Sequence, residues 1–216
     1  MSSAIWLISY HLKREREDQY LEWFRDVHVP EKLARPGYTW ASHYRTASPE
    51  TADNSALYLA LFGGETSAVF YNPSPAQIAP KQPPETSTMM ACRLESRAMI
   101  LSSEWATTDR HEIGGDCSPV DAESINLTLC DASGNDMDFS AWLVQEHLPS
   151  LAGCSMRKFL ASSGDARHAI IHARTADTTP TLAFADAAAG EWSAQVAGYL
   201  NYPLDRPLIS MDRISL

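Results

Sequence analysis

The chain has 216 residues, with 17 Lys and Arg against 27 Asp and Glu and a formal net charge of −10. An acidic chain without a basic stripe repels phosphate backbones and anionic lipid surfaces, so neither a nucleic acid nor a membrane is expected as a partner. Hydrophobic residues make up 44%, enough for a packed core in one large domain or two small ones.

In chain order, residues 4–11 form an apolar, β-prone run. Charged residues follow, with Asp18 as a candidate helix cap, and Tyr20, Leu21, Trp23, Phe24 and Val27 recur close to the helical period. Pro36-Gly37 ends that helix. Residues 38–46 and 56–62 read as strands, the second closed by Gly63-Gly64. A second helix starts near Glu65 and breaks up in a stretch of five prolines from Pro73 to Pro84, which reads as a long irregular loop. Residues 92–105 supply a last strand, and 108–121, with Gly114-Gly115 and Pro119 among charges, read as a linker. Strand 124–129, helix 138–151, strands 156–161 and 169–173, helix 181–200 and strand 208–214 follow.

One phrase occurs twice. Trp23, His28 and Pro30 return as Trp142, His147 and Pro149 at a single offset of 119 residues, and the same offset laid without a gap over the first strand places residues 5–10 on 124–129. Each half therefore reads βαββαβ, the ferredoxin-like arrangement, whose sheet leaves one apolar face bare. The expected fold class is α+β: two ferredoxin-like units in tandem, 1–107 and 122–216, joined by the linker 108–121, with their sheets packed as a pseudo-twofold α+β barrel. That would make the chain a monomeric pseudo-dimer or half of a homodimer.

The N-terminal apolar run is short and lacks preceding basic residues, so no signal peptide is expected, and no stretch is long enough to span a bilayer. Cys92, Cys117, Cys130 and Cys154 are widely spaced with no C-x-x-C, which suggests reduced thiols and a cytoplasmic location.

Trp23, Asp26, His28, Pro30, Leu33, Ala34, Pro36-Gly37 and Tyr44-Arg45 together resemble the W-x-x-D-x-H-x-P-x-x-L-A-x-P-G pattern of EthD-like proteins in the dimeric α+β barrel superfamily. The second half keeps Trp142, His147, Pro149 and Leu151-Ala152 but has Gln145 in place of the Asp and lacks the Pro-Gly. The resemblance implies a small-molecule enzyme. Superfamily members include cofactor-free monooxygenases, cyclases, decarboxylases, dehydratases, isomerases and haem-handling proteins, and in several a polar residue, often His, works between the helices and the sheet of one unit.

His28 lies one helical turn beyond Phe24 and two beyond Leu21, at the end of an apolar stripe. It is either an acid/base in a pocket or a packed helix-end imidazole. Asp26 is roughly 200° around the helix from it; it is either an exposed carboxylate beside Arg25 or Lys32, or a group that orients a neighbour. His147 is the second-copy candidate. On the next strand His43 and Arg45 share one face and Tyr44 takes the other. Tyr44 could donate to a carbonyl or phenolate and Arg45 could hold a carboxylate. Trp6, Tyr10, Trp40 and Tyr58, with Phe24 and His43, could wall an aromatic pocket, or simply fill a core. His168 and His172 share a strand face. There is no H-E-x-x-H, no metal-spaced Cys/His cluster, no Walker loop and no G-x-G-x-x-G, so neither metal nor other cofactor is expected.

The resulting expectation is a cofactor-independent enzyme that moves protons on a small apolar molecule, aromatic or polyketide-like: a lyase, dehydratase, decarboxylase or isomerase. His28 would be the acid/base, Tyr44 or Arg45 would hold a developing oxyanion, and Asp26 would assist. A cofactor-free monooxygenase and a non-catalytic binding protein are the alternatives.

Overall fold

A computed structural model describes residues 3–46, 54–107, 122–151, 155–173, 190–202 and 209–216. The chain forms two compact units, Met1–Ser102 with Ser162–Asp165 and Met211–Leu216, and Ser103–Ala161 with Ala166–Ser210. The expected linker 108–121 lies outside the described residues.

In the first unit β1 (Ala4–Lys13) runs straight into α1 (Arg14–Trp23), with Lys13 at the cap position and no side-chain cap bond. Asp18, expected as the cap, is inside the helix because no loop separates strand from helix. The helix then widens into a single π turn, Phe24–His28, before α2 (Val29–Leu33). Pro30 explains the widening. It has no N–H to offer the Asp26 carbonyl, and the Val29 N–H reaches back to the Phe24 carbonyl instead. Gly37, at φ 84°, supplies the left-handed residue that turns the chain into β2 (Tyr38–Thr46).

Strand β3 (Ser55–Gly64) includes the two glycines expected to close it. Gly63 is required there by a close approach: a Cβ would sit 2.1 Å from Nε1 of Trp40. The proline-rich stretch is also more regular than expected. It folds into short helical turns, Ser67–Phe70 and Ala79–Lys81, and short helices α3 (Pro75–Ile78) and α4 (Pro84–Met90). Pro75 and Pro84 occupy first turns, where a missing N–H costs nothing, and Ser74 and Gln77 form a capping box. Strand β4 (Leu94–Ala106) completes the unit, although its end, from Ser103, belongs to the second. The antiparallel order is β4–β1–β3–β2, with Met211–Ile214 of β9 (Ile209–Ile214) added beside β2.

The second unit repeats the plan: β5 (Ser124–Ala132), α5 (Asp136–Trp142), a π turn Leu143–His147, α6 (Leu148–Ser150), β6 (Met156–Ser163), β7 (His168–Ala173), α7 (Glu191–Ala197), β8 (Leu200–Asn201) and the start of β9. Of the helix expected over 181–200, residues before 190 lie outside the described residues. The strand order is β6–β7–β5–β9, again second, third, first, fourth, and β8 pairs with the end of β5. The fold is α+β, as expected, with each unit ferredoxin-like.

The 119-residue offset holds through the helices and their π turns but not through the first strands. In the first unit the even residues Ala4, Ile8 and Tyr10 pack with Tyr20, Trp23 and Phe24 of the helix. In the second, Cys130 packs with Phe139 and Trp142, so the even residues again face the helix. An odd offset would turn every strand side chain to the other face. The units differ in that β1 enters its helix directly, whereas residues 133–135 separate β5 from α5.

Candidate functional site

The candidate site lies in the first unit, between the helix and the sheet. His28 closes the π turn, is 2% exposed, and packs among Trp23, Phe24 and Phe62 at ring-centroid distances of 4.8, 5.3 and 6.2 Å. Its Nδ1 is buried and has no hydrogen-bond partner. Burial first, then the charges of Lys32, Arg93 and Arg35, pushes its pKa down to about 2, so the imidazole is neutral.

Lys32, one turn on, is 3% exposed, and its Nζ lies 5.6 Å from the centre of the Trp6 ring. Burial lowers its pKa to about 8. Arg93, just ahead of β4, donates from Nε to the Tyr20 hydroxyl at 2.6 Å and stacks its guanidinium over Tyr10 at 4.6 Å. Its Nη2 is buried without an acceptor. Tyr10 Oη and His43 Nε2 are hydrogen-bonded at 2.6 Å, and the His43 ring lies 4.2 Å from that of Phe24. Burial first, then the charge of Arg93, lowers the His43 pKa to about 3.

The structure brings together some of the residues singled out in the sequence and separates others. His28, Phe24, His43, Tyr10, Tyr58 and Trp6 share the helix-facing side of the sheet. Asp26 does not join them. It is exposed and makes a two-point pair with Arg25 at 2.7 Å. Tyr44 is fully buried but pairs in register with Leu59, on the opposite face from His43. Trp40 also points to that other face, across Gly63. Arg45 is held by Glu17 at 3.1 Å, and Glu17 also accepts from the Tyr58 hydroxyl. Lys32 and Arg93, which were not singled out in the sequence, are cationic groups whose charges bear on His28, and Arg93 lies over Tyr10. Lys32 carried a readable signal, being four residues after His28 on one helix. Arg93 carried none.

In the second unit His147 closes the matching π turn, stacked on Trp142 at 4.8 Å, and burial lowers its pKa to about 4. Leu151 stands where the offset would place Lys32. Elsewhere in that unit Ser210 donates to Asn126 Oδ1 at 2.7 Å, Asn126 Nδ2 lies 2.7 Å from His172 Nε2, and His168 lies 2.7 Å from Asp136. Among the described residues no cluster of His, Cys, Asp and Glu has the geometry of a metal site, and no helix is long and apolar enough to cross a membrane.

No protein-family model and no curated protein matches the chain. Solved structures do. An anthrone oxidase-like protein is similar over 100% of this chain and 92% of its own, with TM-score 0.60 and 11% identity. A candidate monooxygenase of Fusobacterium nucleatum is similar over 99% and 93%, with TM-score 0.57 and 8% identity. A chlorite dismutase variant from Candidatus Nitrospira defluvii is similar over 100% and 93%, with TM-score 0.57 and 11% identity. The chain shares the α+β fold of these structures. At such identities the likeness carries fold alone, and the narrower EthD-like resemblance rests on the motif of residues 23–45.

Proposed function

We propose that this protein is a cofactor-independent enzyme that moves a proton on a small aromatic molecule held in the first unit. The observation that carries the reading is the open Nδ1 of His28: a buried, neutral imidazole nitrogen with no partner, one helical turn from a lysine. A buried polar atom left unbonded is costly, and such exceptions collect at functional sites. A neutral imidazole can accept a proton, and the cations around it favour an anion forming beside it over the protonated ring. Lys32, with its pKa near 8, returns or removes a proton close to neutral pH. The rings of Trp6, Phe24 and Phe62 exclude water and match an apolar substrate.

A second reading adds dioxygen. Two of the similar structures are named anthrone oxidase-like and monooxygenase. Anthrone chemistry needs only a base to start: the substrate carbanion passes electrons to dioxygen, the carbon gains one oxygen atom, and the other leaves as water.

The test is turnover of anthrone and related phenolic ketones by the wild type and His28→Gln, with dioxygen followed in parallel. A loss of roughly 10²–10⁴ in kcat for a folded His28→Gln supports the proton-transfer reading. Matching dioxygen uptake selects the oxidase branch. Full turnover by His28→Gln overturns both.

A further inference from the structure

Two cationic groups sit on the helix-facing side of the first unit, and no carboxylate among the described residues bonds either one. Lys32 is almost wholly buried, with its ammonium over Trp6. Arg93 spends Nε on the Tyr20 hydroxyl, lies over Tyr10 and Tyr20, and keeps a buried Nη2 with no acceptor. The nearby acids are engaged elsewhere. Glu17 holds Arg14, Arg45 and the Tyr58 hydroxyl, and Glu31 holds Arg35 at 3.2 Å, acting on Lys32 only through its field. Burying a cation without a counter-ion is costly, so a buried Lys32 beside a half-buried Arg93 with one buried N–H unbonded calls for an anion to complete it.

We propose that this is a receptor for a planar aromatic anion, a carboxylate or a phenolate. Lys32 and Arg93 take its charge, and Trp6, Tyr10 and Tyr20 take its ring. The proposal rests on the small aromatic substrate proposed above and names its charge state. Arginine suits this role because it can stack on an aromatic ring and still present a free N–H edge to an oxygen. The surface flanking Arg93 is basic too. A surface pocket of about 330 Å³, lined by Lys13, Arg16, Gln19 and Thr88 together with Cys92 and Leu94 on either side of Arg93 in the chain, has no acidic lining residue. The second unit lacks the pair, with Leu151 at the offset position of Lys32.

Calorimetric titration of the full chain with naphthoate and with its neutral isostere naphthamide tests this without any turnover. Naphthoate should bind at least tenfold more tightly. Lys32→Met and Arg93→Met should each remove that preference, while Lys32→Arg, which keeps the charge, should retain it. Naphthol should bind more tightly once ionised. Equal affinity for naphthoate and naphthamide, binding of neither, or a preference that survives in both Met variants overturns the proposal. Because only binding is read, failure of His28→Gln to alter turnover would remove the proton-transfer reading and leave this one standing, and the reverse also holds.

Discussion

Trp23 and His28 face each other across one π turn with ring centroids 4.8 Å apart, and Trp142 and His147 keep the same 4.8 Å in the second unit. An α-helix would put the fourth residue back against the histidine; the wider turn adds the fifth. Both tryptophans are buried, so each carries packing as well as geometry. Truncating either to Ala should lower stability by about 3–5 kcal/mol, read from the denaturant midpoint. A loss below about 1 kcal/mol would mean the stacked pair adds little to the fold.

The same burial makes His28 a test of function against stability. Replacing it with Leu removes an imidazole whose Nδ1 is unbonded and fills the space with apolar atoms. Stability should hold or rise, by at most about 1–3 kcal/mol, the usual cost of an unsatisfied buried group. Turnover should fall by roughly 10²–10⁴. A marked drop in stability instead would show that the histidine is there for packing.

The fold was readable because its signals are local and repeated: a Trp, a His and a Pro at one spacing, and alternating strands. The π turns were not, since that of the first unit arises from the missing N–H of Pro30 acting on a carbonyl four residues earlier, and apolar periodicity is blind to it. That turn changes which neighbour His28 meets. The strand faces could be misassigned between the units because three residues separate β5 from α5, against none between β1 and α1. At the site, sequence adjacency misled for Asp26 and Tyr44. Asp26 sits two residues from His28 yet pairs outward with Arg25, and Tyr44 sits next to His43 yet faces the other side. Arg93 reaches the site from far along the chain, a relationship only the tertiary fold creates.

Buried histidines should make the protein acid-sensitive. Burial lowers the pKa of His28 to about 2, of His43 to about 3, and of His147 and His172 to about 4. In the unfolded chain each titrates near 6.5. As pH falls, the unfolded state therefore takes up protons first. Their contribution is fully present above about pH 6.5 and is lost as pH drops toward the folded values, at up to about 1.4 kcal/mol per pH unit for each histidine. Denaturant midpoints measured from pH 7 to pH 4 should fall with a slope greater than one proton. His147→Phe should remove one histidine's share of that slope. A flat profile over this range would contradict the buried neutral state.

Lys158 offers the complementary case of a buried charge that does have a partner. Its side chain is fully buried, bonded to Glu104 and to Ser140 Oγ at 3.0 Å, and burial followed by the charge of Arg167 lowers its pKa to about 7. Removing the acid strands the base. Glu104→Ala should destabilise the protein by up to about 3 kcal/mol, at the low end of the range for broken buried pairs because Glu104 is 30% exposed. The penalty should be greater at pH 6 than at pH 9. At pH 6 the unfolded lysine is fully charged and folding must discard its proton or bury it unpaired; at pH 9 less of that cost remains. Lys158→Met removes the charge with its partner left at the surface, and should be neutral or stabilising at pH 7. The two single variants and the double, followed by urea denaturation at both pH values, separate the cost of a stranded ammonium from the net worth of the pair. Equal losses for Glu104→Ala at pH 6 and pH 9 would show that Lys158 keeps its proton regardless of its partner.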